Sequence, residues 1–490
     1  MAIFDFVTQG HELVYVIAGS ILAVFVLQLA YATITDPLRS IPGPFLSRWT
    51  DLHVKFVWLA GGRPQYVHSL HQKYGPIVRV TPDEVDISDI STAREIHRVG
   101  SKFRKSQFYR KLGPIENLFT TTDPKFHANR RRLLAPFFAE SSISKLEPIV
   151  LDKVRLTVQK IRDEMKTQGH ADVFKWWTLM AMDTIGELSF GESFGLVEAG
   201  KKNQYATDIA SAAHFHPIRT TFPTLIRMAA YLPLPMFTEV GQAVQRIGAY
   251  ARTLISRYKQ LLALDPDNPK KMLFTDLLKA EKQEISEMEL TFESQSYITA
   301  GTDTTAVTLT YIVYAVSRDS SIRDRLLAEL QTVPDNLVHE DVKNLPYLNQ
   351  VIDEGLRVYG AAPGALPRVV PAGGASLVGH QLPAGLTVAT QAYSLGRDAD
   401  VFPDPERFIP SRWEHPTKLM KDGFMAFGAG TRSCIGVYLA RMELRLALAL
   451  FFKSFPKAKL STKAGMLEQE LEMKIYFLVS PKGHRCLMEN

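Results

Sequence analysis

The sequence predicts a mainly α-helical protein with small β-sheets, preceded by one N-terminal transmembrane helix. Helical patterns dominate residues 125–357, whereas short strand-like runs occur at 77–80 and 84–87 and return near 374–389 and 474–479. A long stretch near the N-terminus carries no charged side chain. No repeat, low-complexity tract or long polar linker divides the 490 residues, so we expect one large folded domain behind the helix.

The uncharged stretch covers residues 13–34. As a helix it would be about 33 Å long at roughly 1.5 Å per residue, which is enough to cross a bilayer. Arg39, Arg48 and Lys55 follow it, whereas the residues before it are acidic, so the positive-inside rule places the folded domain in the cytosol. A cleaved signal peptide and a buried core helix are the alternatives. The first would need a basic start and a shorter apolar run.

The chain is therefore expected to divide into four segments. These are an N-terminal tail (1–12), a transmembrane anchor (13–34), a proline-rich hinge (35–46) and the folded domain (47–490). Pro37, Pro42 and Pro44 make the hinge stiff and non-helical, because proline fixes φ and restricts the residue before it.

The composition limits the compartment and the partners. Two cysteines are too few for a disulfide framework, and one of them, Cys486, lies in a polar C-terminal tail, so we expect a reducing compartment. The net charge of +6 is modest, and no nucleic-acid-binding motif is present. The charge therefore favours a membrane surface or an acidic protein partner over nucleic acid.

The most informative segment of the chain is a glycine-rich turn that presents Cys434. Its spaced positions are Phe427, Gly430, Arg432, Cys434 and Gly436. Gly428 and Gly430 allow a tight turn and a close approach to a flat ligand, and Arg432 can pair with a carboxylate of that ligand. One isolated thiolate suits an axial bond to haem iron, whereas zinc and iron–sulfur sites need more ligands. The alternative is a buried structural cysteine beside a glycine turn.

A second constellation lies in the predicted helix over 291–318. Residues 300–305 place a glycine and three threonines in mid-helix, where such residues are unfavourable. Thr304 can donate a hydrogen bond to the carbonyl of Ala300 and loosen the helix there. Asp303 and Thr304 would then supply a carboxylate and a hydroxyl for proton delivery. A polar kink or cap in a structural helix is the alternative.

Together these segments resemble the cytochrome P450 monooxygenases of the microsomal type, and most closely the fungal members of secondary metabolism. The similarity runs from the anchor to the C-terminus, and its motifs occur in the order that the family requires. It implies the cytochrome P450 fold and a haem b cofactor, iron protoporphyrin IX. In this resemblance Cys434 is the thiolate ligand of the iron.

The resemblance also implies roles for other residues. Asp303 and Thr304 are expected to be catalytic. The residues expected to bind the cofactor, besides Cys434, are Arg432, Arg368, His127, Arg131, Phe427, Gly428, Gly436, Ala300 and Gly301. His127 departs from the family, which usually has a tryptophan there. Glu354, Arg357 and Arg407 are expected to form a buried structural network, in which loss of one member costs about 3–5 kcal/mol.

The expected reaction inserts one oxygen atom from O2 into an apolar small molecule such as a terpenoid, polyketide or alkaloid. The chain has no dinucleotide-binding glycine fingerprint, so electrons from NADPH should arrive through a separate cytochrome P450 reductase, with cytochrome b5 as an optional second donor. The expected location is the endoplasmic reticulum membrane, which the chain would cross once, with the haem-thiolate catalytic domain in the cytosol.

Two other functions stay open on the sequence. A haem-thiolate isomerase or dehydratase would not activate O2, and such family members often lack an acid–alcohol pair, so Asp303 and Thr304 argue against it. A non-enzymatic haem-binding protein would give no product with any reductant. NADPH-dependent turnover in membranes that contain reductase separates the three.

Overall fold

Long helices form most of the structure, as the helical patterns predict. The computed structural model describes residues 36–113, 115–229, 235–264, 272–275, 278 and 285–490, together with isolated positions between 17 and 35. The described α-helices are α1 (Leu52–Leu59), α2 (Arg63–Tyr74), α3 (Ile90–His97), α4 (Pro124–Phe138), α5 (Glu140–Ile143), α6 (Glu147–Gln168), α7 (Val173–Phe190), α8 (Leu196–Ala199), α9 (Gln204–Thr221), α10 (Pro223–Ala229), α11 (Pro235–Leu264), α12 (Glu287–Arg318), α13 (Ser320–Leu330), α14 (His339–Lys343), α15 (Pro346–Tyr359), α16 (Ala392–Leu395), α17 (Lys418–Gly423) and α18 (Val437–Ser454).

The strands are short and lie beside the helices in small sheets. They are β1 (Ile77–Thr81), β2 (Glu84–Ile87), β3 (Arg104–Lys105), β4 (Ala171–Asp172), β5 (Arg368–Val369), β6 (Ala375–Leu377), β7 (His380–Leu382), β8 (Thr387–Ala389), β9 (Lys459–Leu460), β10 (Met473–Ile475), β11 (Val479–Pro481) and β12 (Leu487–Glu489). Within the described residues the largest sheet has the order β1-β2-β8-β5-β3, and β2 and β8 are parallel. The predicted mainly α-helical fold with small sheets is confirmed.

Half of the positions of the predicted transmembrane anchor, residues 13–34, lie outside the described residues. Among the residues that the structure describes, no helix combines the length and the apolar character needed to cross a bilayer.

The proline-rich hinge is docked on the largest sheet. Within the predicted hinge, 35–46, residues 36–44 contain no helix, whereas Phe45 and Leu46 begin a short 3-10 helix, Phe45–Arg48. Asp36 forms an ion pair with the buried Arg79 on β1, and Leu38 and Ile41 are buried against the sheet. The hinge is thus held in place by one ion pair and two apolar side chains.

Helix α12 is the central element of the helical region, and its residues 305–317 are buried. It packs along α7, and the closest approach is at Gly301, where a Cβ atom would lie 2.9 Å from Cγ1 of Ile185. Gly301 therefore has a packing requirement of its own, which is independent of any cofactor. Gly355 on α15 similarly faces Ile312 of α12 with no room for a side chain.

A buried charge network joins α15 to the segment that follows α16. Glu354 accepts hydrogen bonds from Nε and Nη2 of Arg357, each 2.8 Å long, and both side chains are fully buried. Three further donors reach the same carboxylate: Ile409 N–H at 2.8 Å, Arg412 Nε at 3.0 Å and Trp413 Nε1 at 2.9 Å. Every lone-pair direction of the buried carboxylate is thus used, which is the condition for a stable buried charge.

The prediction that Arg407 is the third member of this network is wrong, because its side chain takes no part in the network. The guanidinium of Arg407 is 74% exposed and lies 3.6 Å from Asp404, whereas its backbone carbonyl accepts from Arg357. The 3-10 helix Pro410–Trp413 turns Arg412 inward instead. The buried second cation is therefore Arg412.

Cys486 also differs from expectation, because it is fully buried and does not lie in an exposed tail. It precedes β12, which pairs with β4 and β9, and its sulfur lies 3.8 Å from that of Met488. Burial raises the pKa of its thiol, so this cysteine stays protonated and unreactive.

The charge network gives a prediction that separates the two arginines. We expect Arg412→Gln to lower the free energy of unfolding by about 3 kcal/mol, because it leaves a buried carboxylate with too little positive charge. Chaotrope unfolding of the purified protein, followed by tryptophan fluorescence, measures this.

Arg407→Gln is the matched control, and we expect a change within about 0.5 kcal/mol, because that side chain is exposed. An equal loss of stability in both variants would contradict the assignment of Arg412.

Candidate functional site

The loop that presents Cys434 is built around two glycines. Gly428 and Gly430 have φ values of 66° and 62°, a region that side chains other than glycine rarely adopt. A Cβ at Gly430 would also overlap with the carbonyl oxygen of His97 at the end of α3. The amide of Cys434 donates to the carbonyl of Phe427 at 2.8 Å, which closes the turn.

Cys434 is an exposed residue, although protein atoms lie densely around its sulfur. Burial raises the pKa of the thiol, and the backbone N–H of Gly436 and the charge of Arg131 oppose that rise. Helix α18 starts directly after Gly436, so its N-terminal dipole also favours a thiolate. The described residues contain no group of three or more metal-ligating side chains, so the sulfur can act only as a single ligand.

Positively charged side chains from separate elements converge beside this loop. They are Lys105 from β3, Arg131 from α4, Arg368 from β5 and Arg432 from the cysteine loop, and are called the cation cluster below. In the part of the chain that the structure describes, none of them forms an ion pair with an acidic side chain. Their repulsion is evident at Arg432, whose pKa is lowered to about 10, first by burial and then by Arg368.

The sheet register brings two of these cations together. Strand β3 pairs antiparallel with β5 so that Lys105 lies opposite Arg368, and both are buried. Like charges in opposite positions destabilise a sheet. The Nε atom of Arg368 is also buried without a hydrogen-bond partner. The cation cluster therefore requires an external anion.

An iron porphyrin with two carboxylates matches this site. Its carboxylates would neutralise the cation cluster and satisfy the orphaned Nε of Arg368. The single accessible sulfur of Cys434 would bind its iron. The residues present thus fit haem.

Two uncharged histidines, His97 and His127, lie beside the cation cluster. His127 is buried, and the pKa of its imidazole is lowered to about 3 by burial and by Arg432 and Arg131. His97 is likewise neutral, with its pKa lowered to about 3 by burial and then by Arg368. His97 bonds Thr390 at 2.8 Å and approaches Arg368 at 3.3 Å, so it ties the sheet to the cation.

Arg131 and Arg432 also hold the protein backbone around the loop. Arg131 Nη1 donates to the carbonyl of Ser433 at 2.9 Å, and Arg432 Nη1 donates to the carbonyl of Thr121 at 3.0 Å. Of the run Arg130–Arg132, only Arg132 is exposed. Within this run, the basic surface open to a protein partner is therefore Arg132 alone.

The acid–alcohol pair lies on α12 as predicted. Thr304 Oγ1 donates to the carbonyl of Ala300 at 2.6 Å. Thr302 and Thr308 likewise donate to the backbone carbonyl four residues before them in the chain. The helix nevertheless stays continuous from Glu287 to Arg318, so the expected loosening is not seen.

Asp303 is half-buried beside Thr304. Burial raises the pKa of its carboxyl group, and Lys202 opposes that rise. A carboxyl group whose pKa is raised can hold a proton closer to neutral pH and release it to a neighbour, as a proton relay requires.

A buried hydrogen bond links the acid–alcohol helix to the cysteine helix. Thr305 Oγ1 donates to the carboxyl group of Glu443 on α18 at 3.0 Å. Burial raises the pKa of Glu443 to about 8, so the group is uncharged at neutral pH. The two helices that carry Thr304 and Cys434 are thus joined directly beside the site.

Sequence reasoning did not find Lys105, His97 or Glu443. Glu443 had a usable signal, because it is an acidic residue within the apolar helix that follows Cys434. Lys105 had none, because its place depends on the pairing of two-residue strands that are distant in the chain.

The comparisons with known proteins agree with this geometry. The family model described as Cytochrome P450 matches residues 42–487. The chain is 48% identical to Cytochrome P450 monooxygenase tazI of Aspergillus terreus over 96% of this chain and 97% of the relative. It is 45% identical to Cytochrome P450 monooxygenase orf2 of Aspergillus niger, again over 96% and 97%.

A more distant relative is Cytochrome P450 monooxygenase stcB of Emericella nidulans, with 36% identity over 94% of this chain and 89% of the relative. Members of this family carry haem with a cysteine thiolate as axial ligand, which confirms the predicted cofactor. The chain belongs to the cytochrome P450 family, and the predicted enzyme class, a haem-thiolate monooxygenase, is confirmed.

Proposed function

We propose that this cytochrome P450 binds haem through Cys434 and inserts one oxygen atom from O2 into an apolar small molecule of fungal secondary metabolism. The observation that carries the assignment of the site is the accessible single thiol beside buried cations that lack acidic partners. The fungal origin of the relatives supports a terpenoid, polyketide or alkaloid as substrate.

The cofactor would be held at two places. Cys434 would bind the iron, and the cation cluster would bind the two carboxylates, with neutral His127 as an additional hydrogen-bond donor. Phe427, Gly428 and Gly436 shape the loop around the sulfur. Haem with a thiolate ligand supplies the redox chemistry that activates O2.

Asp303 and Thr304 of α12 would deliver the protons that the reaction consumes. Asp303 takes a proton from solvent on the side of Lys202 and passes it to the hydroxyl of Thr304. Thr304 donates its own proton to the Ala300 carbonyl, which leaves free lone pairs on its oxygen to accept the proton from Asp303. For the transfer, its O–H would turn away from Ala300 and give up its own proton. Glu443 takes no part in this relay; its uncharged carboxyl group joins α18 to α12 through the hydrogen bond from Thr305.

Electrons would come from NADPH through a separate cytochrome P450 reductase, with cytochrome b5 as an optional second donor. Arg132 is an exposed cation on α4, next to residues that contact the cysteine loop, and it suits an acidic redox partner.

The enzyme would be anchored once in the endoplasmic reticulum membrane, with its catalytic domain in the cytosol. The uncharged residues 13–34 support this location. Apolar side chains at the end of the hinge and just after it support it as well: Phe45, Leu52 and Phe56 are 72%, 52% and 65% exposed. Such an exposed apolar group is typical of a surface that contacts a membrane.

The ligand assignment predicts the loss of a spectral signature. We expect Cys434→Ala to abolish the long-wavelength Soret band of the reduced carbon monoxide complex, because that band requires a thiolate ligand. The spectrum of the reduced protein with carbon monoxide minus that of the reduced protein without it measures the band. Cys486→Ala is the matched control and should keep the band, and persistence of the band in Cys434→Ala would overturn the assignment.

The proton relay predicts uncoupling. We expect Thr304→Ala to lower product formed per NADPH by at least about tenfold, with peroxide released instead, since a positioned proton donor contributes about a hundredfold or more. Product, NADPH and peroxide are measured in the same reaction.

Thr308→Ala is the control for the relay, because it removes the same type of bond to the helix backbone one turn away. We expect coupling close to that of the parent enzyme. Equal coupling in all three proteins would show that the proton passes elsewhere.

If residues 13–34 anchor the protein, removing them should change its membrane association and leave haem binding unchanged. Deletion of residues 1–34 should move the protein from the membrane pellet to a high-salt supernatant, while the carbon monoxide band is kept. A truncated protein that stays in the pellet with its band intact would show that the apolar surface after the hinge is sufficient for binding.

A further inference from the structure

The side chain of His71 joins helix α2 to strand β2 in the interior of the protein. His71 lies in the last turn of α2, and both it and Asp86 on β2 are buried. Nε2 of His71 lies 2.9 Å from Oδ1 of Asp86. Nδ1 lies 2.9 Å from the carbonyl oxygen of Gly75, the residue at which the helix ends. Each ring nitrogen thus faces an oxygen atom of the protein.

These two contacts fix the number of protons that the pair holds. A backbone carbonyl oxygen can only accept a hydrogen bond, and so can an ionised carboxylate. A neutral imidazole carries one N–H, so it can satisfy one of the two oxygens and turns a lone pair towards the other. Both bonds form only with one more proton, which lies either on the ring or on the carboxyl group of Asp86. These two placements, a charged pair and a neutral pair, contain the same number of protons.

A neighbouring ion pair makes the same proton necessary for charge balance. Arg63, in the first turn of α2, places Nη2 at 2.5 Å from Oε1 of Glu84. Glu84 and Asp86 lie on the same face of β2, because side chains alternate along a strand. With the proton on the pair, these four side chains carry no net charge. Without it they carry one net negative charge in the interior, which burial disfavours.

The other ionisable side chains near the pair do not replace this proton. His68, one turn before His71 on α2, is uncharged, because burial and then Arg397 lower its pKa. Asp83, in the turn before β2, is exposed and adds negative charge. Arg79 points to the opposite face of β1, where the hinge is docked.

Burial, the largest single influence, lowers the pKa of His71, but the contacts with Asp86 and Gly75 together outweigh it and raise the pKa. Burial raises the pKa of Asp86. Both shifts keep the proton on the folded pair above about pH 6.5, where histidine in an unfolded chain releases it. The stabilisation is therefore fully present below about pH 6.5 and is lost as the pH rises through the raised pKa.

We propose that His71 and Asp86 share one buried proton, which joins the C-terminal end of α2 to β2, and that release of this proton as the pH rises weakens the junction. The carboxylate of Asp86 is a stronger acceptor than a backbone carbonyl, so the N–H that remains stays on Nε2. Gly75 then loses its bond, and the end of α2 loosens. The junction belongs to the fold and does not depend on the proposed haem site.

Nitrogen chemical shifts of histidine show where the proton lies, because they distinguish the imidazolium ring and the two neutral forms. Protein with 15N-labelled histidine is titrated as its reduced carbon monoxide complex, whose iron is diamagnetic, and His71→Gln identifies the signal of His71. At about pH 7 we expect the imidazolium or the Nδ1–H form, and at alkaline pH the Nε2–H form, with a midpoint above the ordinary value of about 6.5. An Nε2–H ring at about pH 7, or a midpoint at or below the ordinary value, would overturn the proposal.

Asp86→Asn removes the need for the extra proton, because the asparagine N–H can donate to Nε2 while the ring donates from Nδ1 to Gly75. In this variant we expect a neutral ring with its proton on Nδ1 from about pH 6 to about pH 9, since burial is no longer opposed by a carboxylate. Asp83→Asn, at an exposed position of the same hairpin, is the matched control and should titrate like the parent. An Asp86→Asn variant that titrates like the parent would contradict the shared proton.

The contribution to the junction is measured by chaotrope unfolding of the parent and of His71→Gln, which lacks the titrating ring. Linkage allows the ratio of their unfolding constants to rise by up to about tenfold per pH unit between the unfolded and folded pKa values. We expect the ratio, parent over variant, to rise at least about twofold between about pH 6 and about pH 9. A ratio that is constant over this range would show that the proton does not stabilise the junction. The titration of the parent locates the proton even if Asp86→Asn does not fold.

Discussion

Buried positive charge without matching acidic side chains is the constraint on which the rest of this structure depends. Lys105 and Arg368 lie opposite each other on paired strands, and Arg131 and Arg432 approach from a helix and from the cysteine loop. A fold that converges four cations in this way is complete only with a dianionic ligand. Cofactor binding and folding are therefore coupled, since a ligand that binds only the folded state stabilises it.

The cysteine loop is fixed by contacts on each of its sides. Gly430 lies against the His97 carbonyl, Arg131 holds Ser433, and the Thr305–Glu443 bond joins α12 to α18. None of these contacts supplies a reacting group, yet together they fix the position of the sulfur. The chemistry can therefore be carried by few residues because many others restrict the backbone.

Much of the fold and the centre of the site could be predicted from the sequence, because the residues that determine them are close together in the chain. The glycine turn around Cys434 and the threonines of α12 have requirements within a few residues, so their pattern is visible in the chain. The choice between Arg407 and Arg412 was not visible, because it depends on how a 3-10 turn folds back on α15. Lys105 was missed for the same reason, since a two-residue strand has no pattern of its own.

The two cysteines have a practical consequence. The sulfur of Cys486 is sealed in the core against Met488, and Cys434 would be committed to iron in the loaded enzyme. The chain contains no other cysteine, so the native holoenzyme would offer no reactive thiol to a labelling reagent. A single cysteine introduced on the surface would then be a unique attachment point for a spectroscopic probe, and neither natural cysteine would have to be removed.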